Sequence, residues 1–258
     1  MTNLPPNLSN LSTKSSEEKK ILLEKFTEVA NLVSPKSGLT IEIGGAILRQ
    51  IAFKTTRWLQ ILGYNNKIIS EAVAREKPII FNIGCGDFIQ ENMLSIDIIP
   101  TGGELLKLVT GKRKLKNDLF IDITYKDKKL AGTADGIVLS HVLEHIPPTL
   151  TLTSLSHCFD YLKLGGAIRI SVPYLGAYDK TNPNFPGWKK LGNRTLAINR
   201  LIYGWGHRFM YDPEILALLM EEAGFKDVQF VSFGVGLLQE TDNPTRRSES
   251  IYLTGIKS

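Results

Sequence analysis

From Ile21 to Val33 the apolar residues Leu22, Leu23, Phe26, Val29, Ala30 and Val33 recur at helical spacing, and a second periodic stretch runs from about Gly45 to Leu62. In the second, Ile47, Ile51, Trp58 and Leu62 share one stripe, while Arg49, Thr56, Arg57 and Gln60 cluster opposite. Two placements fit that pattern. One is a helix packed on a domain's flank or over its cleft. The other is a membrane-surface helix, because basic amphipathic helices that carry a Trp lie on bilayers. From Pro78 the period shortens. PIIFNI, MLSIDI, LFIDI, DGIVLS, AIRISV, VQFVSF and SIYLTGI are short runs rich in Ile and Val, separated by helical or loop segments, which is the alternation of a parallel α/β sheet. The pattern predicts an α/β, doubly wound, mostly parallel seven-stranded sheet with an N-terminal helical extension.

Two helices have clear ends. One begins near Pro147–Pro148, carries Leu150, Leu152, Leu155, Cys158, Phe159 and Leu162, and is expected to stop at Gly165–Gly166. The other opens with Asp212 as N-cap and Pro213 at its first position, runs through Met220 and stops at Gly224. The expected organisation is a disordered tail over residues 1–20, a helical extension over 21–76 and an α/β domain over 77–258. An aperiodic insertion at about 174–211 is long enough to be a lid or a binding element.

Composition narrows the function. The 258 residues, 43% hydrophobic and 22% charged, suffice for a full core. The formal charge of +5 is spread along the chain, and the runs KRKLK at 112–116 and NPTRR at 243–247 are short, so nucleic acid is not the expected partner. Two cysteines, Cys85 and Cys158, provide neither a disulfide framework nor a metal set. No apolar run reaches the roughly 18 to 20 residues of a membrane span, and the first twenty residues lack a secretory pattern. A cytoplasmic protein is expected.

The chemistry gathers at strand ends. Gly84-Cys85-Gly86 closes the first strand, where glycine lets the backbone approach a ligand. The dinucleotide pattern G-x-G-x-x-G is not met, because Ile89 stands at the third position. Asp97 closes the second strand and could accept hydrogen bonds from both hydroxyls of a ribose. The link between these strands is shorter than a parallel crossover usually needs. Either its helix shrinks to a turn around Phe88–Asn92, or one strand is misplaced.

These residues, with HVLEH at 141–145 and GHRFMYDPEILALLMEEAGF at 206–225, resemble the class I S-adenosylmethionine-dependent methyltransferases, in particular a small bacterial type with an abbreviated first crossover. The resemblance runs from about Pro78 to the C-terminus and makes 77–258 a methyltransferase domain of Rossmann-like fold. It implies S-adenosyl-L-methionine as cofactor, held by Gly84, Cys85, Gly86, Asp97 and Ile98, with Asp122 and the Ile123 backbone at the adenine edge. Ser140 and His141 would lie beneath the transferable methyl. It also implies an association with surface-polysaccharide synthesis.

Methyl transfer from a sulfonium requires alignment and a proton acceptor. The chain has no G-x-S-x-G elbow and no Walker loop. His141, His145 and His207 are the candidate acceptors, with His141 and His207 the catalytic candidates and His145 structural. His141 and His145 have zinc-like spacing but no evident third ligand, so no metal is expected, and Glu144 is expected to tether backbone. In the insertion Tyr174, Tyr178, Arg208 and Tyr211 are candidate substrate contacts, among neighbours that include Asp179, Trp188, Tyr203 and Trp205. No N-P-P-Y-like tetrad follows the fourth strand, and TNPNF at 181–185 lies too late. A small-molecule or glycan-type acceptor, methylated at oxygen, fits best. A non-catalytic cofactor-binding module and a membrane-peripheral enzyme acting on a lipid-linked acceptor are the alternatives.

Overall fold

The computed structural model describes residues 39–100, 117–178 and 191–258, together with positions 15, 17, 21 and 110. Most of the expected tail and of the helix read at Ile21–Val33 lies outside these residues, as do KRKLK, Asp179, TNPNF and Trp188.

Two helices, α1 (Leu39–Leu62) and α2 (Asn66–Ala74), precede the sheet. The sheet strands are β1 (Ile80–Ile83), β2 (Leu94–Asp97), β3 (Leu119–Phe120), β4 (Ala134–Ser140), β5 (Leu162–Pro173), β6 (Lys226–Val231) and β7 (Ser250–Ile256). Helix α3 (Thr151–Tyr161) joins β4 to β5, and α4 (Arg194–Tyr203) and α5 (Pro213–Glu222) join β5 to β6. The strand order is β3-β2-β1-β4-β5-β7-β6. The first five strands are parallel, and β7 runs antiparallel to both β5 and β6. Interior strands buried on both faces read as continuous apolar runs. Phe81, Ile96, Ile137, Leu139, Ile168 and Ile170 accordingly form one core with Leu155 and Leu216 of the helices. The direction of winding reverses between β1 and β4, so a crevice opens beyond Ile83 and Ser140.

The first crossover contains no helix. Residues 84–93 turn back directly, and β1 and β2 pair in parallel at Phe81↔Leu94, Asn82↔Ser95 and Ile83↔Ile96. Both strands read from sequence are therefore in place, and the reduced crossover holds. The buried Asn82 donates Nδ2–H to the Phe88 carbonyl at 2.8 Å, and the Phe88 N–H donates to Cys85 O at 2.9 Å. These bonds substitute for the missing helical turns.

Helix α3 ends at Tyr161, before the expected stop at Gly165–Gly166. Leu162 instead pairs with Ala134, and after a register shift Ala167 pairs with Gly136. Lys257 explains the early exit. Its Nζ donates to Leu162 O at 2.8 Å and Asp160 O at 3.3 Å, while Gly165 and Gly166 exchange backbone bonds with Lys257. Helix α5 matches its reading, with Asp212 Oδ1 accepting from the Ile215 N–H at 2.8 Å and Gly224 at φ +108°.

Helix α1 starts at Leu39, earlier than the periodicity suggested, and packs with its polar face inward. Thr56 and Gln60 are buried, whereas Ile47, Ile51, Trp58 and Leu62 are more than half exposed. The strand ends cause this. Thr56 Oγ1 accepts from the Ile99 N–H at 3.0 Å and Gln60 Oε1 from the Asp122 N–H at 2.9 Å, which satisfies donors left beyond β2 and β3.

Candidate active site

The glycine bend is tied to β2. Gly84 N–H and Cys85 N–H both donate to Ile96 O, at 2.8 and 3.1 Å. Gly84 and Gly86 have φ of +69° and +52°, which L side chains disfavour. A Cβ on Gly84 would lie 2.5 Å from Val142 Cγ2, whereas one on Gly86 would meet nothing within 4 Å. Gly86 thus borders open space. The Asp97 carboxylate turns toward this bend, Oδ2 accepting from the Gly86 N–H at 3.1 Å and Oδ1 from the Ile98 N–H at 2.8 Å.

Cys85 lies inside the bend, where burial and the charges of Asp97 and Asp118 push its thiol up to about 12; burial does the same to Cys158. At pH 8 such a thiol is about one part in ten thousand thiolate. Native protein is therefore expected to react with a disulfide reagent at least about a thousandfold more slowly than unfolded protein. Stopped-flow absorbance with and without denaturant checks this.

Beyond β3 lie Asp122 and Ile123, read as the adenine edge. Asp122 is buried, and its Oδ2 takes the Arg57 Nε–H of α1 at 2.6 Å, while Oδ1 accepts from Thr124 N–H and Oγ1–H at 2.9 and 2.7 Å. The Ile123 carbonyl lies 2.7 Å from His157 Nδ1. In this arrangement Asp122 latches α1 to the sheet end.

The β4 end carries the densest polar cluster. Ser140 Oγ accepts from Ser171 Oγ–H at 3.1 Å. His141 follows in the left-handed region, at φ +57°, a conformation that a bulky residue keeps only when its surroundings enforce it. Its N–H donates to Ser171 O at 2.9 Å, its Nε2 is 2.7 Å from Ser250 Oγ, and its Nδ1 is 3.3 Å from Glu144 Oε1. Glu144 was read as a backbone tether, and its carbonyl does accept from the Arg208 N–H at 2.7 Å. Its side chain is the larger finding. The carboxyl group is fully buried, with no hydrogen-bond partner on either oxygen, and His207 Nε2 lies 4.0 Å from Oε1. The His145 and His207 rings meet edge to face with centroids 4.8 Å apart.

Burial sets the charge state. It pulls His141 down to about 3 and His207 to about 4, helped by Arg246 in the first case and His145 in the second, and it also lowers His145. It pushes Glu144 up to about 8. Near neutral pH the imidazoles are uncharged, while the acid is largely protonated. From sequence, His141 and His145 have no evident third metal donor, and the structure groups a different set. Glu144, His145 and His207 offer ligand atoms within 4.8 Å of one another.

The insertion carries the remaining candidates. Tyr174 is half-buried, its ring stacked against Gly176. Arg208 is exposed, and its charge helps burial to lower the pKa of His145. Tyr178 and Tyr211, read as substrate contacts, are instead buried. Tyr178 packs with Leu191, Ala197 and Leu201 of a satellite core, and the Tyr211 hydroxyl hydrogen-bonds Thr151 Oγ1 at 2.7 Å. Their rings hold the insertion in place. Tyr203 and Trp205 are more than half exposed on α4 and the turn that follows it.

A family model described as a methyltransferase domain matches residues 56–230. No curated protein matches the chain. Among solved structures the chain is similar to a SAM dependent methyltransferase from Archaeoglobus fulgidus, with 19% identity and a TM-score of 0.44 over 82% of this chain and 99% of that one. It is similar to a point mutant of a 16S rRNA (adenine(1408)-N(1))-methyltransferase from Catenulisporales acidiphilia, with 17% identity and a TM-score of 0.42 over 74% and 92%. It is also similar to human N-acetylserotonin methyltransferase in complex with SAM, with 15% identity and a TM-score of 0.44 over 93% and 66%.

Proposed function

The chain belongs to the family of methyltransferase domains, and from that premise we propose that it transfers a methyl group from S-adenosylmethionine to an oxygen of a small-molecule or glycan-type acceptor. One observation carries the cofactor assignment. At the reversal of strand order, an acceptor-only carboxylate faces a glycine bend that borders open space. Gly84, Cys85, Gly86, Asp97, Ile98, Ser140 and His141 are the residues that would hold the cofactor. When bound, it supplies an electrophilic methyl on a sulfonium and leaves as S-adenosylhomocysteine, the electron pair of the broken carbon–sulfur bond staying on sulfur. The protein's part is alignment and proton removal. The acceptor hydroxyl forms the new carbon–oxygen bond as its proton passes to the imidazole of His141 or His207. Arg208 and Tyr174, from the insertion, are the acceptor contacts in this reading.

His207→Ala tests the division of labour. Isothermal titration is expected to show affinity for S-adenosylhomocysteine unchanged within about twofold, while turnover falls by about a hundredfold or more. Loss of cofactor binding in this variant would contradict the role given to His207. Wild-type binding without turnover on any hydroxyl acceptor would instead favour the non-catalytic module.

The exposed stripe of Ile47, Ile51, Trp58 and Leu62 on α1 favours a second reading, an enzyme peripheral to a membrane and acting on a lipid-linked acceptor. No helix among the described residues is long and apolar enough to cross a membrane. Cosedimentation with anionic liposomes separates the two readings.

A further inference from the structure

We propose that Glu144, His145 and His207 bind one divalent transition-metal ion of the first row. The donors come from two chain segments, the turn after β4 and the end of the insertion, joined where the Glu144 carbonyl takes the Arg208 N–H. Their ligand atoms lie within 4.8 Å of one another. Three of the chain's four histidines, His141, His145 and His207, gather at this point.

The second observation is the orphaned donor set. Both Glu144 oxygens and His207 Nδ1 are buried without hydrogen-bond partners, in a fold where other buried carboxylates such as Asp122 and Asp242 are bonded. A buried carboxyl group in this state needs a proton or a cation beside it. The ligand chemistry indicates which cation. Two imidazoles and one carboxylate suit zinc, cobalt, nickel or iron(II), whereas magnesium and calcium take sets built from oxygen. Three protein ligands leave coordination positions for a water or an acceptor oxygen. His141, with Nδ1 at 3.3 Å from Glu144 Oε1, is placed to orient the carboxylate. The nearby Arg246 opposes a cation, but it is paired with Glu249 at 2.9 Å.

The consequence for catalysis rests on the methyl-transfer reading. An ion here would bind the acceptor oxygen and ease loss of its proton, His207 would then act as ligand, and His141 would be the remaining proton acceptor.

The test uses the full chain, freed of metal with a chelator and titrated with Co2+ (followed by visible absorption) and with Zn2+ (followed by calorimetry). Saturable 1:1 binding is expected, weakened at least about tenfold in Glu144→Gln and His207→Ala. His157→Gln, which removes the one histidine outside the cluster, should leave it unchanged. Should Glu144→Gln fail to fold, His145→Ala, at an exposed position, carries the same test. No saturable binding by wild type, or equal binding by the cluster variants, would overturn the proposal. S-adenosylhomocysteine binding measured on the same samples keeps the readings apart, since failure of cofactor binding bears on the methyl-transfer reading alone.

Discussion

Replacing Asp97 with alanine is expected to weaken binding of S-adenosylhomocysteine by about two to four orders of magnitude. A hydrogen bond to a charged group contributes about 1.5–3 kcal/mol, and a ribose would make two of them to this carboxylate. The loss of about 3–6 kcal/mol converts at about 1.4 kcal/mol per decade of affinity. The carboxylate also holds the bend, because its two oxygens accept the N–H groups of Gly86 and Ile98. Alanine therefore removes the ligand contacts and loosens the backbone that approaches the ligand. Asp97→Asn keeps one acceptor oxygen and should fall between wild type and alanine. Calorimetric titration gives the affinities, and thermal unfolding of the same samples shows whether the sheet persists. Wild-type affinity in the alanine variant would remove the observation on which the cofactor assignment rests.

The placement of Asp97 was legible in the sequence because it depends on local features, a strand end facing a glycine bend one strand away. The sheet was legible for a related reason: interior parallel strands are apolar on both faces and stand out as short Ile/Val runs. Edges were less clear. The run LFIDI contributes only Leu119–Phe120 to the ladder, because Asp122 turns away to meet Arg57. Periodicity also identified α1 as amphipathic but did not reveal which face packs. An apolar stripe normally faces the core, yet here the ends of β2 and β3 present N–H donors and an aspartate that only polar side chains satisfy. The burial of Tyr211 was not legible, because a hydroxyl at a helix entrance looks the same whether it points outward or to Thr151.

The Glu144 cluster was hidden for a sharper reason. The spacing of His141 and His145 suggests a shared helical face, but His141 is left-handed and Leu143–His145 is a single 3-10 turn. The partner of His145 is instead His207, delivered by the insertion through the backbone bonds of Arg208 and Phe209 to the Glu144 carbonyl. Such long-range pairing leaves no mark in local periodicity.

Replacing Asp242 with alanine should cost the fold about 3–5 kcal/mol, the range for breaking a buried ion pair from one side. Arg169 on β5 is almost fully buried, and its Nε and Nη2 donate to the Asp242 oxygens at 2.5 and 2.6 Å. Its guanidinium also donates to the carbonyls of Val235 and Leu237 at 3.0 Å, and Asp242 accepts from the Gly234 N–H at 2.7 Å. One pair therefore fastens the loop between β6 and β7 to the sheet. Without Asp242 the charge stays buried with carbonyls alone, and the Gly234 donor loses its acceptor. In a chain of this size a loss of that order lowers the melting temperature by about 10 °C. The double variant Arg169→Met, Asp242→Leu should recover part of the loss, because removing both charges also removes the desolvation penalty. The same loop leads into Ser250, whose hydroxyl meets His141 Nε2. Asp242→Ala is thus expected to lower turnover even below its melting transition. A melting temperature within about 1 °C of wild type would mean that the carbonyls alone hold Arg169, and that the clasp adds nothing to the fold.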